Sequence, residues 1–213
     1  TYHYELLPTT ILLARLYKNE PDCKKQALSF VSHASKILSK NNPHPKGQIA
    51  IRYCHIIARM YQEFEGHEKE SAKLMIHSST VAESRFGEVS IETASCYADC
   101  ATFFIGLTQF NCALRFAGKA LVIFLAKYGP SHRNSAQSQY QVGLIYRLTK
   151  QYNFAVEELQ HARKMFSNVY GSTSLEVARS DVSLGFSFHM SKHYLQAERC
   201  YERALSVRED KLG

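Results

Sequence analysis

The chain has 213 residues, of which 45% are hydrophobic and 21% charged. That balance supports a packed core and argues against a disordered chain. Its net charge of +7 is spread along the sequence, with 12 basic against 8 acidic residues over 1–87 and 14 against 11 over 88–213, so no concentrated basic patch marks a nucleic-acid or membrane surface.

No apolar run is long enough for a bilayer span, and the opening TYHYELLP has neither the basic region nor the clean apolar stretch of a secretory leader. A Thr in first position is the expected mark of a piece cut from a longer protein.

In chain order the sequence predicts helix pairs. The first, over about 7–41, carries Ala14, Tyr17, Ala27 and Ala34 and is followed by KNNPHPKG, in which PHP at 43–45 reads as a rigid turn. The second, over about 48–86, repeats the small, aromatic, small order as Ala58, Tyr61 and Ala72, with two extra residues placed in the polar turn EFEGHEKE. The third, over about 91–128, has Ala94, Ala101, Phe104, Phe110, Ala113 and Ala120. The fourth, about 133–170, sets Ala136, Gly143, Tyr146, Tyr152, Ala155 and Ala162 in the same places, and the fifth, about 175–212, sets Ala178, Gly185, Phe188, Tyr194, Ala197 and Ala204.

From the third pair to the fifth these positions recur every 42 residues, and so do Gly87, Gly129, Gly171 and Gly213, each preceded by an apolar residue; in the first two pairs the interval is irregular. Small residues recur where two helices touch and aromatics one turn away, which is a helical period rather than a strand period. A hairpin of two helices of about 15 residues cannot bury its own apolar stripe, so each must stack on its neighbours. The expected fold is all-α: a right-handed superhelical solenoid of five antiparallel helix pairs forming a single array over 1–213.

Gly143, Tyr146, Ala155 and Ala162, and again Gly185, Phe188, Ala197 and Ala204, make the chain resemble the tetratricopeptide repeats. The 42-residue spacing, YGPSH (128–132) and YERALSVREDKLG (201–213) are similar to the longer subtype of kinesin light chains and nephrocystin-type proteins. The resemblance implies protein–protein interaction, with work in cytoskeletal, transport or ciliary complexes. The chain departs from the pattern in having no Trp, and in carrying Ala98–Asp99, Tyr140–Gln141 and Val182–Ser183 where the subtype has paired asparagines. The carboxylate clamp of Hsp90-binding members also needs asparagines that are missing from this stripe.

Catalytic signatures are absent: there is no phosphate-cradling glycine loop, no H-E-x-x-H and no G-x-S-x-G. Cys96 and Cys100 share a helix face without further ligands at metal-binding spacing, and the six cysteines read as buried thiols of a reducing, cytoplasmic compartment. His189 and His193 stand four apart, a chelating spacing that also lacks a third ligand, and His132 reads as a cap or packing residue for the next helix. Neither a metal nor a cofactor is expected, and the chain is read as a non-enzyme.

The first helix of each pair is expected to line a concave face. Its inward stripe beside the buried one carries Arg15 and Lys18 with Ile11, then Arg52, His55 and Arg59, then Gln137, Tyr140, Leu144 and Arg147, and then Arg179, Val182, Phe186 and His189. Such a stripe suits a protein or peptide segment with acidic residues at one end and bulky apolar ones at the other. Outward residues of the second helices, such as Glu157 and Arg203, are expected to take no part. The competing readings are an RNA-binding helical array, which would need matching polar residues in every unit, and a helical regulatory domain of a larger enzyme. The last helix is expected to leave Leu205 uncovered, so that either further helical sequence or self-association covers it.

Overall fold

The structure, a computed structural model, describes residues 3–18, 20, 23–40 and 47–212. A 3-10 turn, Tyr4–Leu6, leads into ten helices: α1 (Leu7–Lys18), α2 (Lys24–Lys40), α3 (Gly47–Gln62), α4 (Glu68–Phe86), α5 (Ile91–Gly106), α6 (Phe110–Tyr128), α7 (Arg133–Leu148), α8 (Tyr152–Tyr170), α9 (Leu175–Met190) and α10 (Tyr194–Leu212). No strand occurs among the described residues. The helices fall into two compact units, 1–96 and 97–213, with the boundary inside α5. The turn expected at 43–45 and the glycine at 213 lie outside the described residues.

In the first unit α1 packs on α2 and α3 on α4. Ala14, Ala27 and Ala34 are fully buried, and Tyr17 stacks on Phe30 with ring centroids 5.5 Å apart. One expected contact is shifted by a residue. Ser71, not Ala72, is the small residue fully buried in α4, and Ser78 follows one heptad later. Both hydroxyls donate to carbonyls of their own helix, Ser71 to Glu68 at 3.1 Å and Ser78 to Met75 at 2.7 Å. A serine therefore serves where the other repeats use alanine, because its polar atom is satisfied without a partner helix.

In the second unit the core runs through Tyr97, Phe104 and Phe116, then Phe124, then a cluster of Ala136, Tyr140, Ala155, Leu159, Ala162, Phe166, Val177 and Leu184. Phe104 and Phe116 stack face to face at 5.6 Å. Gly143 marks the closest approach of α7 to α8: a Cβ there would stand 2.8 Å from Leu159 Cγ and 3.1 Å from its backbone nitrogen. The helices meet this closely only because that side chain is absent.

The connections repeat as regularly as the helices. After α6 and α8 the chain passes through Gly129 (φ 76°, ψ −179°) and Gly171 (φ 88°, ψ 158°), a region open to glycine almost alone. Gly87 does the same after α4. The next helix is then capped: Ser90 Oγ accepts from Thr93 N at 3.1 Å, His132 Nδ1 from Asn134 N at 3.2 Å, and Ser174 Oγ from Val177 N at 3.3 Å. His132 also stacks on Tyr128 at 3.9 Å, so it both caps and packs.

Within three hairpins the turn is a Schellman motif whose left-handed residue is not glycine: Thr108 (φ 57°), Lys150 (φ 62°) and Lys192 (φ 64°). In each, paired backbone bonds close the helix end, as in Gln109 N to Phe104 O and Thr108 N to Ile105 O, both 3.0 Å.

The two classes of turn make opposite predictions. Gly171→Ala should destabilise by about 1–3 kcal/mol although its Cβ would meet nothing within 4 Å, because the cost is backbone strain alone. Thr108→Gly should stabilise by about 1 kcal/mol, since it relieves a β-branched residue from a left-handed conformation. Urea denaturation of both variants checks the pair of signs.

Candidate interaction surface

In the first unit, α1 and α3 bring Arg15, Lys18 and Arg59 to one depression of about 450 Å³ floored by Ile56 and Met60. Lys18 pairs with Glu63 at 2.7 Å, both side chains being well exposed, so part of this positive charge is answered internally. Arg52 is exposed on α3, and Ile11, one position of the expected stripe, is buried instead. His55 is half-buried, with Nε2 3.0 Å from Ser78 Oγ and 3.8 Å from Cys96 Sγ. The fold thus gives Cys96 a histidine neighbour 41 residues away that sequence spacing could not show. Cys54 lies buried near them, its thiol pushed up to about 12 by burial and then by Cys96, so it stays neutral and unreactive.

In the second unit the inward residues of consecutive first helices are laced together at one repeat's distance. Arg179 Nη2 donates to Gln137 Oε1 at 2.7 Å, the Tyr140 hydroxyl lies 2.9 Å from Ser183 Oγ, and Gln141 Nε2 donates to Thr102 Oγ1 at 2.7 Å and to the Ala98 carbonyl at 3.3 Å. Of the positions where the resembling subtype has asparagines, Tyr140, Gln141 and Ser183 therefore cross-link neighbouring helices.

Tyr140 is only 7% exposed, and the Arg179 guanidinium covers its ring at 4.5 Å. Arg147 sits 5.0 Å over the ring of Phe186, which is 39% exposed and meets Tyr152 edge-on. Leu144 is half-buried between them in sequence.

Val182 and His189 face a trough of about 960 Å³ whose other wall is α10, with Leu195, Tyr201, Leu205 and Arg208. Leu205 is open to solvent, as expected. His189 and His193 turn to different rings, Tyr194 and Phe188, both edge-on.

Arg203, expected to take no part in partner binding, has a structural role within the second unit. Its Nη2 is 2.7 Å from Asp181 Oδ1 and 3.2 Å from Cys200 Sγ, while Arg163 Nε reaches the same Asp181 oxygen at 2.8 Å. The Asp181 side chain is 2% exposed, so one buried carboxylate on α9 ties α8 to α10 through two arginines. The hydrogen bond to Asp181 holds the Arg203 guanidinium more firmly protonated than usual. Burial raises the Cys200 thiol against the opposing pull of Arg203. Sequence periodicity could not reveal this triad, because an aspartate and two arginines on separate helices carry no spacing signal.

Because a second arginine remains when either is lost, Arg163→Ala and Arg203→Ala should each cost about 1 kcal/mol. Asp181→Ala, which strands two cations beside a buried site, should cost about 3 kcal/mol. Thermal denaturation of the three variants tests the ranking.

Comparison with known proteins agrees with this architecture. Residues 134–210 match the tetratricopeptide repeat family. The human clustered mitochondria protein homolog is 25% identical over 143 residues, 67% of this chain, of which the matched stretch is 11% of that protein's length. Among solved structures, the kinesin light chain TPR-like repeats of Podosopora anserina superpose with a TM-score of 0.74 at 17% identity, covering 99% of both chains. BtubC (BKLC) of P. vanneervenii superposes with a TM-score of 0.69 at 16% identity, covering 99% of this chain and 91% of that one. The matching family over residues 134–210, the helix pairs and the small-residue contacts are all in agreement: residues 134–210 are tetratricopeptide repeats, and the described helices share the fold of the TPR-like repeat structures.

Proposed function

We propose that this chain is a non-catalytic scaffold that holds an extended segment of a protein partner on its first-helix faces, in cytoplasmic assemblies of the cytoskeletal or transport kind. The observation that carries the reading is Phe186: a large ring 39% exposed on a first helix, with the Arg147 guanidinium over it. Exposed aromatics beside arginine are what interface centres favour. The likeness to kinesin light chain repeats supports the choice of assembly.

On this reading Arg15, Lys18, Arg52 and Arg59 form a cationic set in the first unit that attracts acidic residues of the partner, with His55 on the same stripe. In the second unit Gln137, Tyr140, Leu144, Arg147, Arg179, Val182, Phe186 and His189 form the contact surface, with Tyr140 acting as the support beneath Arg179 rather than as a direct anchor. Exposed charge contacts are each worth about 1 kcal/mol or less and chiefly steer association. Apolar contacts contribute about 25 cal/mol per Å² removed from water, less the cost of ordering the segment.

Phe186→Ala should therefore weaken binding of a display-selected peptide about tenfold, and Arg59→Ala should weaken it less while flattening its salt dependence. Glu157→Ala, on the exposed side of α8, should leave affinity unchanged. Fluorescence polarisation at two salt concentrations reads all three, and loss of binding in Glu157→Ala alone would place the contact on the second helices instead.

A further inference from the structure

Cys96 and Cys100 have no third ligand near them in sequence, but α3 supplies one in the first unit. His55 Nε2 lies 3.8 Å from Cys96 Sγ, and Ser78 Oγ of α4 lies 3.0 Å from that nitrogen and 3.5 Å from that sulfur. Cys100 stands one turn further along the same face of α5, its Sγ within 4.8 Å of that of Cys96. Both thiols are buried, while His55 is only half-buried and leaves a way in from solvent. An imidazole nitrogen and two sulfurs are the ligand types that soft and borderline metal ions choose.

The separations suit a bound ion. With Zn–S about 2.3 Å and Zn–N about 2.0 Å, an ion touching both ligands at a near-tetrahedral angle holds them about 3.5 to 3.8 Å apart. The span of 3.8 Å between His55 and Cys96 already meets that need. The Ser78 hydroxyl donates to the Met75 carbonyl at 2.7 Å, so its oxygen offers lone pairs to what it faces. Two thiolates cancel the charge of a divalent ion, which lets the complex sit in a buried place. As it forms, two thiol protons leave to solvent and His55 coordinates as neutral imidazole.

The repeat itself does not require this set. One and two repeats on, the position of Cys96 holds Ser138 and Ser180, and that of Cys100 holds Val142 and Leu184. Serine and aliphatic side chains therefore meet the packing needs of these places, and the two sulfurs are particular to this helix.

We infer that His55 Nε2, Cys96 Sγ and Cys100 Sγ bind one thiophilic metal ion of the zinc(II) kind, with Ser78 facing the fourth coordination position. The ion ties α3 to α5 and adds its binding free energy to the stability of the fold. The site needs no partner protein, so its failure would leave the scaffold reading untouched.

The test is an anaerobic titration of the whole reduced 213-residue chain, free of any polyhistidine tag, with Co(II) and then Zn(II). One equivalent of Co(II) should bring up a thiolate-to-cobalt charge-transfer band together with d–d bands, and Zn(II) should abolish both. Excess Zn(II) should raise the melting temperature by several degrees. Cys96→Ser, Cys100→Ser and His55→Gln should each weaken Co(II) binding at least tenfold with helicity by circular dichroism unchanged. Cys23→Ser and Cys112→Ser, which alter thiols outside the set, should bind as the unaltered chain does. Where a cysteine variant loses helicity, His55→Gln decides, because that side chain is half-buried on α3. Absence of a saturable cobalt spectrum, or one that survives His55→Gln, overturns the inference. Saturation by Cu(I) alone, without uptake of Co(II) or Zn(II), overturns the assignment to a zinc-like ion.

Discussion

Everything in this chain depends on how closely two helices of one hairpin approach. At Gly143 a single added carbon would press into Leu159 and at Gly185 into Tyr201, and at the matching places of the other hairpins Ala14, Ala58 and Ala101 are fully buried. Close backbones let the aromatic rings one turn away, Phe104 against Phe116 and Tyr140 against Phe166, fill the space beyond the contact instead of wedging the helices apart. The sharp glycine turns and the capping residues at 90, 132 and 174 then start the next helix in the same way each time. Within the second unit, repetition of that single contact presents the first helices side by side.

A row of first helices is a place for polar chemistry, and the second unit divides that chemistry in two. Glutamine, tyrosine and serine side chains bond sideways to the next helix and stiffen the surface. Guanidinium groups left over from that lacing rest on rings. On the other side of the same helices Asp181 gathers two arginines into a largely buried knot, which stabilises the stacking of α8, α9 and α10 rather than serving an external ligand. Arginine therefore plays two roles in one unit, separated by which face of α9 it meets.

The fold was legible from sequence because its main constraint is steric and therefore local. A small residue every 42 positions can be counted, and the helix bounds near 91, 133 and 175 followed from the count. The first unit was read less sharply, since Ser71 does the work there and serine is a weak sign of a buried helix contact. The surface was only half legible. A helical wheel put Phe186, Arg147 and Arg179 on one stripe, but it could not say that Tyr140 lies beneath Arg179, that Ile11 turns inward, or that Arg203 reaches Asp181. Those outcomes depend on side chains of different helices choosing partners, which no period encodes. The left-handed turns at 108, 150 and 192 were overlooked for a related reason: glycine is the usual signal there, and Thr and Lys give none.

The sideways lacing also bears on how such a chain finds its structure. Tyr140 to Ser183 and Gln141 to Ala98 each span 43 residues, and Arg179 to Gln137 spans 42. Each hairpin closes a shorter loop still. The entropy of closing a loop grows only with the logarithm of its length, so every one of these links costs about the same to form, wherever it lies in the second unit. No step waits on the chain's two ends meeting. Low contact order of this kind favours rapid folding that can begin at whichever hairpin forms first and spread to its neighbours. A substitution that weakens one link should then slow the passage of structure across that one boundary, leaving the hairpins on either side to form at their own pace.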